Sequence, residues 1–152
     1  MRIALSADHA GFELKQQLGA YLTRNGHEVI DLGTHSTAPV DYPDSAEAVA
    51  QVMFEGQAER GVIVCGSGAG VSIAANKFPS IRAAVCHDTY TAHQAVEHDD
   101  MNVLCIGARV VGSALACEIV DAFLVARFSR EERHQRRLNK ILAIENRFVT
   151  RS

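Results

Sequence analysis

The chain has 152 residues, a length that suits one domain and leaves no room for a separate cofactor domain beside a substrate domain. Hydrophobic residues at 47% and charged residues at 22% exclude wholesale disorder, and a net charge of −3 argues against nucleic acid as the partner. No apolar run reaches the roughly 18 residues of a membrane span, and Ser6, Asp8 and His9 end the first apolar run too early for a signal peptide.

In chain order, Ile3–Ala7 is the first predicted strand, followed by a helical stripe of Leu14, Leu18, Tyr21 and Leu22 that stops near Gly26. Glu28–Leu32 is the second strand. Asp44 followed by Glu47 resembles a helix start, with Ala46, Val49, Ala50 and Met53 as the apolar side. Gly61–Cys65 is the third strand, and Val71–Lys77 reads as a helix after a glycine loop. Arg82–Cys86 is the fourth strand, Asp88 is placed to cap a helix running towards Glu97, and Val103–Ile106 is the fifth strand. A long helix is predicted over Ser113–Arg127 and another over Glu131–Phe148, with Leu138, Ile141, Leu142 and Ile144 as its buried positions.

Several strands are nearly continuous in Val, Ile, Leu, Ala and Cys, as strands covered on both faces are. The alternation predicts an α/β fold: a three-layer α/β/α, Rossmann-like open parallel sheet of about five strands with a C-terminal helical tail. It forms a single domain over residues 1–152. The four cysteines (Cys65, Cys86, Cys105, Cys117) include no C-x-x-C pair, and three lie in or beside strand runs. No disulfide framework is expected, and a reducing cytoplasm fits best.

Ligands of open α/β sheets bind beyond the carboxyl ends of the strands. The first strand ends in Asp8-His9-Ala10-Gly11 and the third in Cys65-Gly66-Ser67-Gly68-Ala69-Gly70, while His98-Asp99-Asp100-Met101-Asn102 precedes the fifth. His9 and His98 are therefore expected at strand mouths. The Gly66–Gly70 loop is the strongest signal, because alternating glycines let backbone approach a ligand and the helix after them attracts anions at its N-terminus. Val71 stands where a dinucleotide fingerprint needs Gly and where a cysteine phosphatase needs Arg, and the Gly-Lys-Ser/Thr of a phosphate-binding Walker loop is absent.

Cys65 precedes this loop directly, where N–H donors favour thiolate over thiol. Such a thiolate is suited to taking a proton from carbon while the donors hold the resulting enediolate. Cys86, Cys105 and Cys117 read as small buried hydrophobes, His27 and His35 as surface residues, and His87 and His93 carry no assigned role. Asp8, His9, His98 and Asp99 lack the spacing of a metal set, so no metal is expected.

The charge is uneven. Between Arg127 and Lys140 six Arg or Lys face two Glu, a local excess of +4 that leaves −7 for the remainder. Arg133 and Arg137 are four apart and share a helix face, with Arg130 and Lys140 close to it. A solvated helix, a clamp for one phosphate and a nucleic-acid surface are the three readings; the planar fork of Arg favours the clamp.

Seven segments in register resemble the type B ribose-5-phosphate isomerases: Asp8–Gly11, Asp41-Tyr42-Pro43, Cys65–Gly70, Ile73-Ala74-Ala75-Asn76-Lys77, Asn102-Val103-Leu104, Gly107-Ala108-Arg109-Val110 and Arg133-His134-Gln135-Arg136-Arg137. The resemblance runs from residue 1 to about residue 148 without a large gap. It implies isomerisation of ribose 5-phosphate and ribulose 5-phosphate with no metal or organic cofactor. Cys65 matches the family's base, the amides of Gly66, Ser67, Gly68, Ala69 and Gly70 its anion-stabilising loop, and His98 with Ser67 its ring-opening group. Asp8 and His9 match sugar contacts, and Arg133 and Arg137 the phosphate clamp, with Arg109 and His134 as helpers. The resemblance also implies a homodimer, or a dimer of dimers, with each site shared between subunits.

Ser67 replaces a common Thr and keeps the hydroxyl, whereas Asp99 replaces a common Asn at a sugar contact. Val71, where one branch of the family has a Glu base, places the chain with the cysteine-base branch. The alternative substrate is a hexose phosphate (allose 6-phosphate or galactose 6-phosphate), used on the same scaffold. A non-catalytic sugar-phosphate binder and a redox-sensing thiol protein are the readings from other classes.

Overall fold

The five apolar runs form one parallel sheet in a computed structural model that describes residues Met1–Val149. The elements are β1 (Arg2–Ala7), α1 (Phe12–Arg24), β2 (Glu28–Asp31), α2 (Tyr42–Phe54), β3 (Arg60–Cys65), α3 (Ala69–Ala75), β4 (Ala83–Val85), α4 (Thr89–Asp99), β5 (Val103–Gly107), α5 (Ser113–Val125) and α6 (Glu132–Val149). Positions 150–152 of the expected domain lie outside the described residues. The fold is the expected α/β, Rossmann-like sheet between helical layers.

Strand order is β2-β1-β3-β5-β4. Alternation along the strands splits the core into two layers. Ile3 and Leu5, Val62 and Val64, and Leu104 and Ile106 face the layer containing Leu14, Leu18 and Leu22 of α1, Ala92 and Val96 of α4, and Ile119 and Phe123 of α5. Ala4, Ile63, Cys65, Val103 and Cys105 face the opposite layer, with Ala46, Val49 and Ala50 of α2 and Val71 and Ala75 of α3. Covered on both sides, these strands carry apolar residues at nearly every position, which is why they read as continuous runs. Burying each Leu or Phe contributes about 1.5–3 kcal/mol.

β1 hydrogen-bonds to β2 on one side and β3 on the other, and the connections leave to opposite layers. The crevice between the carboxyl ends of β1 and β3 is therefore a topological switch point, where such sheets take ligands.

Several boundaries differ from the sequence reading for local reasons. α2 begins at Tyr42 rather than near Asp44, because Pro43 sits in the first turn, where its fixed φ and missing N–H cost nothing. α3 begins at Ala69, inside the glycine loop, rather than at Val71. α4 starts as expected: Asp88 caps it, its carboxylate accepting from Thr91 N at 2.6 Å. α5 stops at Val125, short of Arg127. The Arg127 guanidinium turns back onto the carbonyls of Leu124 and Ala126, and Arg60 donates to Phe123 and Ala126.

The largest departure is α6. It leans on α4 through its first half, where His134 and Leu138 are buried, but Ile141 and Ile144 are 44% and 51% exposed and Phe148 63%. Its outer half overhangs an apolar groove of about 780 Å³, lined by Ile81, Ala84 and Met101 of the body and by Ile141, Ile144 and Phe148 of the helix. No helix among the described residues is long and apolar enough to cross a membrane.

Candidate active site

β1 and β3 deliver the first functional residues to the switch point. After β1 the chain turns sharply, and the buried Asp8 carboxylate accepts from Ala10 N at 3.0 Å and Gly11 N at 3.1 Å. Gly11 is required there: a Cβ would lie 2.3 Å from the Val64 carbonyl oxygen. His9 Nδ1 accepts from Val40 N at 3.2 Å, so a neutral ring carries its proton on Nε2.

After β3, the loop folds back over the Cys65 side chain. Gly68, at φ +80°, donates its N–H to Cys65 Sγ at 3.1 Å. Cys65 is 5% exposed. Ser67 is exposed, and its Oγ accepts from Ala69 N at 3.2 Å, while the first-turn N–H groups of α3 have no partners within the helix. The loop sits on β5, where a Cβ at Gly107 would meet the Ser67 backbone at 2.7 Å. Arg109 lies over Gly66, its Nη1 3.2 Å from where a Cβ would be, and its N–H donates to the Gly66 carbonyl at 3.0 Å.

Together Asp8, His9, Tyr42, Cys65, Gly66, Ser67, Gly70 and Arg109 line a cleft of about 370 Å³, within the range of small-ligand sites. Thiol, hydroxyl, N–H donors and guanidinium converge on one small volume. That combination suits removal of a proton from carbon next to a carbonyl, with donors waiting for the oxyanion. Two of the other thiols fit their reading as buried hydrophobes, burial pushing Cys86 up to about 11 and pushing Cys105 up as well, whereas Cys117 on α5 is only half-buried.

Two residues, one lining this cleft and one supporting the strand beneath its loop, carry more than the sequence assigned to them. Tyr42 forms a wall, its ring 2.8 Å from where a Gly70 Cβ would be. His87, left without a role above, accepts from Gly107 N at Nε2 (2.9 Å) and so holds the β5 end on which the loop rests. Its position directly after the β4 run was the available signal.

The remaining expected residues gather elsewhere. His98 is not at a carboxyl strand mouth; it lies in the last turn of α4, which has run back to the amino edge of the sheet, just before β5 begins. The five residues of β5 separate the two edges by about 13 Å. There His98 stacks on His134 with ring centroids 4.0 Å apart and planes at 26°. Gln94 donates to His98 Nδ1 at 2.9 Å, and Ser129 Oγ lies 2.6 Å from His134 Nδ1.

His134 is 1% exposed, with Nε2 lacking a hydrogen-bond partner among the described residues. Burial, then the neighbouring His98 and Arg133, hold its imidazole below the ordinary histidine range. Arg133 and Arg137 are exposed on the same helix, Arg133 pairing with Glu131 at 3.1 Å. Arg136 is paired with Glu132 at 2.8 Å, as a solvated helix surface would have it. Asp99 is exposed and lines the apolar groove under α6.

The expected site thus falls into two groups on one chain. Cys65, Ser67, the glycine loop, Asp8, His9 and Arg109 occupy the switch point. His98 and His134, with Arg133 and Arg137 beside them on α6, occupy the opposite edge. His98 lines a separate groove of about 490 Å³ with Tyr90, Gln94 and Val125, which shares no residue with the Cys65 cleft.

The family model described as Ribose/Galactose Isomerase matches residues 3–141. Ribose-5-phosphate isomerase B of Escherichia coli K12 is 49% identical over 146 residues, covering 96% of this chain and 97% of that protein. A putative sugar phosphate isomerase of Bacillus subtilis is 39% identical over 148 residues, 97% of this chain and 99% of that one. Among solved structures, Clostridium thermocellum ribose-5-phosphate isomerase B superposes with a TM-score of 0.95 at 47% identity, covering 97% of this chain and 99% of that one. The Mycoplasma genitalium enzyme of the same name, solved with bound ribulose-5-phosphate, gives 0.89 at 39% identity, over 95% and 96% of the two chains. Matched over nearly its whole length in both sequence and fold, the chain belongs to the ribose/galactose isomerase family.

Proposed function

We propose that this protein interconverts D-ribose 5-phosphate and D-ribulose 5-phosphate through an enediolate, as a single isomerase domain needing neither metal nor organic cofactor. The observation that carries the reading is the Cys65 thiol held under the Gly68 N–H in a cleft shared with Asp8, His9, Ser67 and Arg109. The names of the relatives support the substrate.

His98 and Ser67 open the furanose ring, the O–H proton leaving the anomeric oxygen as the ring oxygen takes one up. The Cys65 thiolate then removes the proton from the second carbon of the aldehyde form and returns it to the first, with the neighbouring hydroxyl proton passing to the carbonyl oxygen. The amides of Gly66–Gly70 hold the negative charge between the two transfers. Asp8, His9 and Asp99 bind sugar hydroxyls. Arg133 and Arg137, helped by Arg109 and His134, take the phosphate.

One copy of the chain does not bring these groups together, so the working unit is a homodimer, alone or paired again. The cleft of one copy receives the His98–His134 edge of the other. The exposed Tyr90 and Val125 beside His98, and the overhanging half of α6, support a second copy as the cover. Function in the cytoplasm is consistent with four free thiols.

The second reading, a galactose or allose 6-phosphate isomerase, draws support from the family description, which pairs ribose with galactose. Comparing kcat/KM on the three sugar phosphates decides between them. Solvent deuterium entering the second carbon of ribose 5-phosphate is the expected result. Finding neither isomerisation nor incorporation with any of the three sugars would return the protein to a binding role.

A further inference from the structure

Lys15 is the anomaly outside the site. It lies on α1, is 0% exposed and ranks among the largest fully buried side chains, although lysine is almost never buried completely. Packing does not call for it, since apolar residues of similar volume replace buried ion pairs without loss, and often with gain. Its ammonium is 2.6 Å from Asp31 Oδ1, with the Phe12 ring 5.7 Å away.

The same Asp31 oxygen accepts from Gly33 N at 2.9 Å. Gly33, at φ +93°, in turn gives its carbonyl to two donors on β1, Ala7 N at 2.8 Å and Ser6 Oγ at 2.9 Å. Thr34 N returns to the Ala7 carbonyl at 2.8 Å. The turn after β2 is thereby stitched to the residue directly before Asp8. The segment leaving it reaches Val40, whose N–H donates to His9, and then Tyr42, the wall over Gly70.

Resting on the isomerase reading above, we propose that Lys15 is a positioning residue for the sugar-binding side of the cleft. It touches no substrate. Its ammonium fixes Asp31, and Asp31 fixes the 31–34 turn that sets Asp8, His9 and Tyr42 against Cys65. A charge is needed because a methionine, which matches the stem as far as Cε, fills that space without holding the carboxylate.

The test is Lys15→Met, which keeps the stem and removes the ammonium. Kinetics on ribose 5-phosphate are measured together with alkylation of Cys65 by iodoacetamide, followed on the Cys65 peptide by mass spectrometry. KM is expected to rise about tenfold or more with kcat within about threefold, the split that lost substrate binding produces. Without sugar, Cys65 alkylates at the wild-type rate, whereas the ribose 5-phosphate concentration that half-protects it rises in step with KM.

An unchanged KM, or a parallel fall of kcat, binding and thiol reactivity, overturns the proposal. Asp31→Asn, at a side chain 40% exposed, covers the case in which Lys15→Met does not fold; its own KM must rise by about threefold or more. The double variant must be no worse than Lys15→Met, and additive losses overturn action through Asp31. If the wild-type protein isomerises no sugar phosphate, the isomerase reading fails by itself, and the protection midpoint still decides the role of Lys15.

Discussion

Replacing Gly107 with alanine tests whether the position of the 66–70 loop matters to catalysis. The added Cβ would stand 2.7 Å from both the carbonyl carbon and the oxygen of Ser67, where ordinary contact begins at 3.4 Å, so something must move by about 0.7 Å. The β5 side is pinned. Gly107 N donates to His87, and Ala108 N to the carbonyl of Cys65, the last residue of β3, at 2.8 Å. The loop carries the displacement instead, taking Ser67 and the amides with it.

Overpacking of this kind costs about 1–3 kcal/mol, against a typical total of about 5–15 kcal/mol, so Gly107→Ala folds. For a chain of this length the cost lowers Tm by about 2–12 °C. A shift approaching 1 Å at a reacting group lowers kcat by about 10–100-fold. Differential scanning fluorimetry and a coupled isomerase assay read the two effects separately. A Tm unchanged within error would refute the steric reasoning. A lowered Tm with kcat within twofold would refute the claim that the loop is placed for chemistry.

Further expectations follow from the two separated groups and from the acidic residues. Cys65→Ala and His98→Ala should each be inactive, yet mixing them after mild dissociation should restore up to about a quarter of wild-type activity, since a mixed C2 dimer has one intact site of two. No recovery on mixing would place both groups in one chain's site. Arg133→Ala and Arg137→Ala should raise KM for ribose 5-phosphate by about tenfold or more while leaving turnover of free ribose unaffected, and unchanged kinetics would return α6 to a solvated surface.

Bonds from the Thr91 backbone and hydroxyl hold the Asp88 carboxyl below its usual 3.8. At Asp31 burial acts to raise the value, but bonds from Lys15 and Gly33 outweigh it and leave it lowered. A carboxyl depressed on folding contributes stability above its unfolded pKa and loses it as pH falls through the folded value. Tm should therefore hold down to about pH 5 and fall below about pH 4. Asp88→Asn, which keeps a capping oxygen, should flatten that acid limb; an unchanged limb would refute the assignment.

Local patterns carried most of the fold. Both-face burial made β1, β3 and β5 readable as continuous apolar runs, and Asp88 announced α4 because an N-cap acts within its own turn. The Cys65 loop was equally legible, since a strand, three alternating glycines and a short helix are consecutive in the chain. The start of α2 was misplaced because Asp44 and Glu47 look like a cap, whereas Pro43 had already set the first turn.

The +4 excess on the C-terminal segment serves more than one role. Of the six basic residues between 127 and 140, Arg127 closes α5 and Arg136 pairs on the surface, while Arg133 and Arg137 flank the buried His134.

The sequence by itself determined the sheet, the residues gathered at its switch point and the family. Only the tertiary structure decided where His98 stands. It reads as a neighbour of β5, but parallel strands all begin at one edge, and the 11 residues of α4 carry the chain about 16 Å back to that edge. Adjacency in sequence to a strand's start is distance from its end. For the same reason the apolar residues of α6 looked like core: periodicity records that a helix face is to be covered, and only packing reveals that this chain covers half of it.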